Sequence, residues 1–173
     1  VWREYVRDKA SKLMQEAGYK KEQLQLIYVL SSMDNNNMLQ QGATFLTLFE
    51  RTLALLHRIA PEVRILVRRH PATSSEYREY QDDIMARSVH QNVHVSNWHP
   101  AMLCHISCGM IANAYSSTFD LARSYGLETI EFTHYSDAFL NATNGQSTRP
   151  DITSFFIQND DEGFSFATKA LLA

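Results

Sequence analysis

Six short apolar runs, each closed by polar residues and separated from the next by helical periodicity, constrain this chain more than any other feature. They are "LQLIYVL" (24–30), "VRILVR" (63–68), "NVHVS" (92–96), "MIANAY" (110–115), "ETIEFTH" (128–134) and "TSFFIQ" (153–158). A strand that is apolar at successive positions has no solvent face. It must be covered on both sides, which is the situation of a parallel sheet between layers of helix. The stretches between the runs supply those helices. Residues 2 to 17 carry Trp2, Tyr5, Val6 and Leu13 on an expected buried face, and Gly18 ends the pattern. A longer helix runs from Gln40 to Ile59 and stops before Pro61. "SSEYREYQDDIMARS", "HPAMLCHISCG" with Pro100 in its first turn and Gly109 past its end, "STFDLARSYG" ended by Gly126, and "DEGFSFATKALLA" are the others. The expected fold is α/β: a Rossmann-like open parallel sheet of about six strands with helices on both faces. Residues 1–22 are expected to be an N-terminal linker helix ahead of a domain spanning 23–173. "NATNGQSTRP", 141 to 150, is the long loop candidate and is expected to be a mobile surface segment. There is no internal repeat and no low-complexity tract.

Composition narrows the function classes. The 173 residues are 45% hydrophobic and 20% charged, enough for one globular domain. No apolar run approaches the roughly 20 residues of a membrane span. A net charge of -3 excludes a polybasic nucleic-acid binder, so each basic side chain must act locally. The opening "VWREYVRDKA" has no initiator Met and no signal-peptide pattern, as expected for the interior of a longer protein. Cys104 and Cys108 in "CHISCG" would need His105 to start a metal site, but helical spacing turns that histidine away and no second ligand pair follows. They read instead as two small apolar residues on one helix face, reduced as in the cytosol.

In open parallel sheets ligands bind beyond the carboxyl ends of the strands. Here that edge collects Ser31, Ser32, Asp34 and an Asn run from Asn35 to Asn37; then Arg68, Arg69, His70 and Pro71; then Asn97, Trp98 and His99; then Tyr115, Ser116, Ser117 and Thr118; then Thr133, His134 and Tyr135. The chain lacks a GxGxxG and a GxxxxGK[ST] loop, which argues against dinucleotide and P-loop chemistry. The Asn run suits either a sugar or a turn that caps the next helix. In "YSSTFDLARSYG", Ser117 is placed to cap a helix with Asp120 three residues on. Three consecutive hydroxyls at a positive helix end also suit a phosphate, although Asp120 brings negative charge there. His70 is placed to donate to a phosphate oxygen or to be a solvated turn residue, with Pro71 holding the chain extended. Arg68 and Arg69 project to opposite faces, so at most one shares a ligand with His70. His99 precedes Pro100 and reads as a helix start that keeps a ligand role open. "DDEG", 160 to 163, is similar to an acidic motif of some sialyltransferases, but it opens the last helix and no catalytic role is carried over to it.

The ordered set of "RRHP", then "MIANAY" leading into "SSTFDLARSYG", then "ETIEF" resembles the C-terminal nucleotide-sugar-binding domain of GT-B glycosyltransferases. The likeness is to the bacterial capsule-polysaccharide and Kdo-transferase group in particular, whose His-Pro and Ser/Thr signatures bacterial polysialyltransferases share. It covers residues 24 to 137 or so. The resemblance implies a donor-binding domain for a CMP-activated sugar such as CMP-Kdo or CMP-sialic acid, in bacterial surface polysaccharide synthesis. Neighbouring alternatives are a CDP-glycerol or UDP-sugar transferase, or a non-catalytic Rossmann-like assembly module. By the same resemblance His70 is the catalytic residue, and His70, Ser116, Ser117 and Thr118 bind the nucleotide phosphate. Arg69, Ser32, Asn35 and Glu131 are further candidates for the nucleotide or sugar. Arg69 stands where the family usually has lysine, which keeps the charge and changes the geometry. No metal and no other cofactor is implied, in keeping with the absence of a DxD motif. The implied partners are the nucleotide-sugar donor and a glycan acceptor held by an N-terminal domain that this chain does not contain. The implied location is the cytoplasm, at the inner face of a bacterial membrane for the full-length protein.

Overall fold

The structure is a computed structural model that describes residues 2–20, 23–31 and 37–173. Six strands form one all-parallel sheet: β1 (Gln25–Val29), β2 (Arg64–Arg68), β3 (Val93–Val95), β4 (Gly109–Ala112), β5 (Glu128–Thr133) and β6 (Phe155–Gln158). Their order across the sheet is β3-β2-β1-β4-β5-β6. The helices are α1 (Trp2–Glu16), α2 (Phe45–Ile59), α3 (Ser75–Arg87), α4 (Pro100–Ile106), α5 (Thr118–Ser124), α6 (Asp137–Ala142) and α7 (Asp161–Leu172). This is the expected α/β, Rossmann-like architecture.

The strands alternate between two cores, as a period of two requires. Leu26, Tyr28, Ile65, Val67, Ile111 and Phe132 face α2, α3 and α7, where Phe49, Leu53, Leu56, Ile84 and Phe164 close on them. Ile27, Val29, Leu66, Met110 and Ala112 face the other way, onto Leu103 and Cys104 of α4 and Phe119 and Ala122 of α5. Gly109 allows a close approach on the first face: a Cβ there would fall 2.3 Å from Leu171 Cδ2. No helix among the described residues is long and apolar enough to cross a membrane.

Several local expectations are corrected. Helix α1 packs on α4 through buried Val6 and Ala10, whereas Trp2 and Tyr5 stack on each other at 5.9 Å in solvent. Helix α4 ends at Ile106, so Cys104 and Cys108 do not share a helix face. Cys104 joins the core on one side of the sheet, its thiol pushed up to about 12 by burial, while Cys108 packs against the core on the other side. Gly109 starts β4 instead of stopping a helix. Helix α2 starts at Phe45, five residues later than Gln40. Residues 141–150 are mostly exposed, as expected, but they begin in α6 and are pinned at Ser147, which is buried.

Candidate functional site

Strand order reverses between β1 and β4: β2 and β3 lie on one side of β1, and β4 to β6 on the other. The connections after β1 and β4 therefore diverge to opposite faces and leave a crevice at their carboxyl ends. A cavity of about 400 Å3 opens there. Its floor is the end of β1, Val29 to Ser31, together with Ala114, and its rim carries His70, Tyr115, Ser116 and Ser117.

His70 comes from the end of β2. Its ring is held locally, because Nδ1 accepts the Ala72 N–H at 3.1 Å. A neutral imidazole that accepts at Nδ1 carries its proton on Nε2, which is then a hydrogen-bond donor. Its carbonyl is held too, by the Thr73 N–H at 3.1 Å and the Thr73 hydroxyl at 2.7 Å. The turn after β2 is thus built around this residue.

The Ser-Ser-Thr segment is arranged differently from the sequence expectation. Ser117 is the N-cap of α5, yet its side chain makes no capping bond. Ser116 Oγ accepts the Thr118 N–H at 3.2 Å instead and donates to Thr118 Oγ1 at 3.2 Å. The Phe119 and Asp120 amides bond to the Ser116 and Ser117 carbonyls at 2.9 and 3.3 Å. The first amides of this short helix are therefore already used inside the turn. What faces solvent is hydroxyl chemistry, above all the exposed Ser117. Thr118 is half-buried behind it and is not part of the rim. Asp120 is turned to its neighbours, accepting from Tyr115 OH at 3.0 Å and pairing with Arg149 at 3.3 Å. Burial and then the bond to Asp120 push the Tyr115 phenol above its ordinary value.

The remaining candidates lie elsewhere. Arg69 is on the α3 face, in a close ion pair with Asp82, and does not line the cavity. Arg68 is half-buried, with no ion pair among the described residues, and does not line it either. Glu131 was expected near the nucleotide, but it is 0% exposed. Tyr135 OH donates to its Oε1 at 2.7 Å and Ser147 Oγ to its Oε2 at 2.5 Å. Burial raises its carboxyl above the ordinary value, and these donors only partly oppose that. Ser32 and Asn35 lie outside the described residues. His99 caps α4, Nδ1 accepting the Ala101 N–H at 3.2 Å. Asp160 caps α7 through the Glu162 and Gly163 amides, so "DDEG" opens that helix as read from the sequence.

Beneath the cavity lies a buried polar network that the sequence reading missed. Tyr28 OH donates to Asn113 Oδ1, and Asn113 Nδ2 donates to the Phe132 carbonyl at 2.8 Å and to Thr52 Oγ1 at 3.2 Å. It ties β1, α2 and β5 to the point where β4 turns toward Tyr115. The one signal for it was an Asn inside the otherwise apolar "MIANAY". Among the described residues no group of His, Cys, Asp and Glu is arranged to hold a metal.

No protein-family profile matches the chain, and no curated protein matches it. Among solved structures it is similar to Thermosulfurimonas dismutans KpsC, beta Kdo 2,4 transferase, with 14% identity and a TM-score of 0.44. The alignment covers 93% of this chain and 54% of that one, so the chain spans about half the length of the solved protein.

Proposed function

We propose that the chain is the donor-binding domain of a GT-B glycosyltransferase, with the nucleotide phosphate of an activated sugar in the cavity over β1. One observation carries this reading: His70 and the Ser116–Ser117 pair, 46 residues apart or more in sequence, line one cavity at the strand-order reversal. The resemblance noted in the sequence rests on those same residues.

In the proposed reaction the acceptor oxygen bonds to the anomeric carbon, the anomeric C–O bond to phosphate breaks, and the electron pair of that bond moves onto the departing phosphate. The Nε2–H of His70 and the Ser117 hydroxyl would donate to those oxygens as charge develops, the electrostatic role of preorganised donors. Ser116 is less free for this, because its hydroxyl is engaged with Thr118. The acceptor hydroxyl must lose a proton to a base, which this reading assigns to another domain. The finer proposal is a CMP-activated sugar transferred without a metal.

Titration calorimetry with CMP, UMP and AMP tests the reading. CMP is expected to bind, and to raise the melting temperature by linkage, roughly 2.7 kcal/mol at a hundredfold excess over Kd. His70→Ala and Ser117→Ala are expected to weaken it. Equal responses to all three nucleotides would overturn the cytidine preference, and no response to any of them would overturn the donor-binding reading.

A further inference from the structure

Strand β6 is the last strand of the sheet, and among the described residues nothing pairs with its outer edge. Along a parallel strand the backbone groups of alternate residues point to opposite sides. The Asn159 N–H donates to the Thr133 carbonyl of β5 at 2.7 Å, so Phe155, Ile157 and Asn159 face β5. The N–H and C=O groups of Phe156 and Gln158 therefore point outward. Strand edges are usually blunted by charge, proline or a bulge. Residues 154–159, "SFFIQN", carry no charge and no proline, and β6 keeps one unbroken register with β5.

The adjoining flank of α7 is uncharged as well. Gly163 and Phe166 line a trough of about 440 Å3 that runs along Phe155 to Gln158, and Phe166 is 71% exposed. Ala170, one turn further along the helix, is exposed too. The charged residues of α7, Asp161, Glu162 and Lys169, lie on its other flank, in the groove with Leu55 and Arg58 of α2. Asp160 is the one charged residue among the described residues that line the trough.

We infer that this edge pairs with the same edge of a second copy of the chain, β6 against β6 in antiparallel order about a two-fold axis at Ile157. That register sets Phe156 opposite Gln158 of the second copy, so the outward N–H and C=O groups of both residues find partners. The two α7 helices then lie side by side on one face of a continuous sheet, and their exposed Phe166 rings cover each other. Charge selects a second copy as the occupant. Asp160 falls opposite Ser154 of the second copy, and Ser154 Oγ accepts from Arg123 Nη1 of its own chain at 3.3 Å. Arg123 is shared with Glu128 at 3.1 Å, but it sets a cation at the amino end of the strand, against the carboxylate at the carboxyl end. An antiparallel pair brings these unlike ends together twice, whereas a parallel pair would set Asp160 beside Asp160. A contact of this isologous kind closes on itself and stops at a dimer.

Sedimentation equilibrium of the full chain at tens of micromolar tests the pairing and is expected to give twice the chain mass. Phe166→Glu alters an exposed side chain and sets two carboxylates against each other across the axis. It is expected to weaken dimerisation tenfold or more, with an unchanged circular dichroism spectrum to show that it is folded. Hydrogen exchange locates the contact. The Phe156 and Gln158 amides are expected to slow with rising protein concentration and to exchange freely in Phe166→Glu, while the Asn159 amide, bonded within the chain, stays the same. A monomer at these concentrations overturns the proposal. So does a dimer whose Phe156 and Gln158 amides exchange freely, because its contact lies elsewhere, and so does undiminished dimerisation of Phe166→Glu.

Discussion

Ser147 donates to Glu131 Oε2 at 2.5 Å across sixteen residues of chain, and that bond fastens the segment after α6 onto β5. The outward face of β5 presents Thr129, Glu131 and Thr133, all buried. The segment covers that face with polar partners: Thr129 Oγ1 donates to the Ile152 carbonyl at 2.8 Å, and Ser147 and Thr153 hydroxyls lie 2.9 Å apart.

Ser147→Ala should therefore behave as a core mutation. It removes a donor from a buried carboxylate, and losses of that kind cost about 1–3 kcal/mol. Chemical denaturation is expected to show the loss, and hydrogen exchange to show faster exchange in residues 143–153 than elsewhere.

The pH dependence of stability has an acid component from Glu131. Burial raises its folded pKa above the ordinary 4.5, so between 4.5 and the folded value the native state binds more protons than the unfolded chain. Its contribution to stability accordingly falls as pH rises through that window. Glu131→Gln is expected to remove this fall, seen as a flatter melting-temperature profile from pH 4.5 upward.

His90 contributes with the opposite slope. It is 1% exposed, with Nε2 2.8 Å from the Val63 carbonyl, and burial lowers its pKa below the ordinary 6.5. His57, whose ring stands 6.1 Å away, lowers it further, and Glu62 acts the other way. Above 6.5 both states are neutral and the contribution is full. As pH falls below 6.5 the unfolded chain takes up the proton first and stability is lost. His90→Gln is expected to reduce the acid-side loss in the same melting profile.

Arg69 separates a structural role from a ligand role. Its pair with Asp82 predicts that Arg69→Ala costs about 1 kcal/mol of stability. CMP affinity measured by calorimetry is expected to stay within about twofold, an energy of less than half a kcal/mol. A large loss of affinity would return Arg69 to the binding site.

Gly109 has no room for a side chain, with Leu171 carbons 2.3 to 2.5 Å from a Cβ placed there. Gly109→Ala is expected to cost about 1–3 kcal/mol by overpacking. Adding Leu171→Ala should recover part of it, a coupling that a double-mutant cycle in denaturant would measure.

The sequence made the central strands β1, β2 and β4 legible because each is apolar on both faces, and only a sheet covered on both sides accommodates that. Tyr28, Ile111 and Phe132 are inside one layer and Ile27, Met110 and Ala112 inside the other for this reason. Glycine and proline marked helix ends where one residue sufficed: Gly18 at φ 68, Gly126 at φ 78, and Pro100 in the first turn of α4. His70, Ser116 and Ser117 were legible as edge residues for the same reason, since the end of an apolar strand is the edge of the sheet.

What depended on partners distant in sequence was not legible. Periodicity gave Trp2 and Tyr5 a buried face, but α1 docks through Val6 and Ala10 because α4 decides which side of it is covered. A cap of α5 was foreseen, and which serine provides it was settled by the αR backbone of Ser117, which leaves Ser116 Oγ nearer the Thr118 amide. Glu131 was a candidate for the nucleotide or sugar; Tyr135 and Ser147, brought over it by the fold, engage its buried carboxyl instead. By itself the sequence determined the fold class, the strand ends and the residue types along the carboxyl edge of the sheet, because those follow from local pattern. Only the tertiary structure decided which of them share a cavity. Strand order is set by packing and pairing across the whole chain, and local pattern carries no record of it.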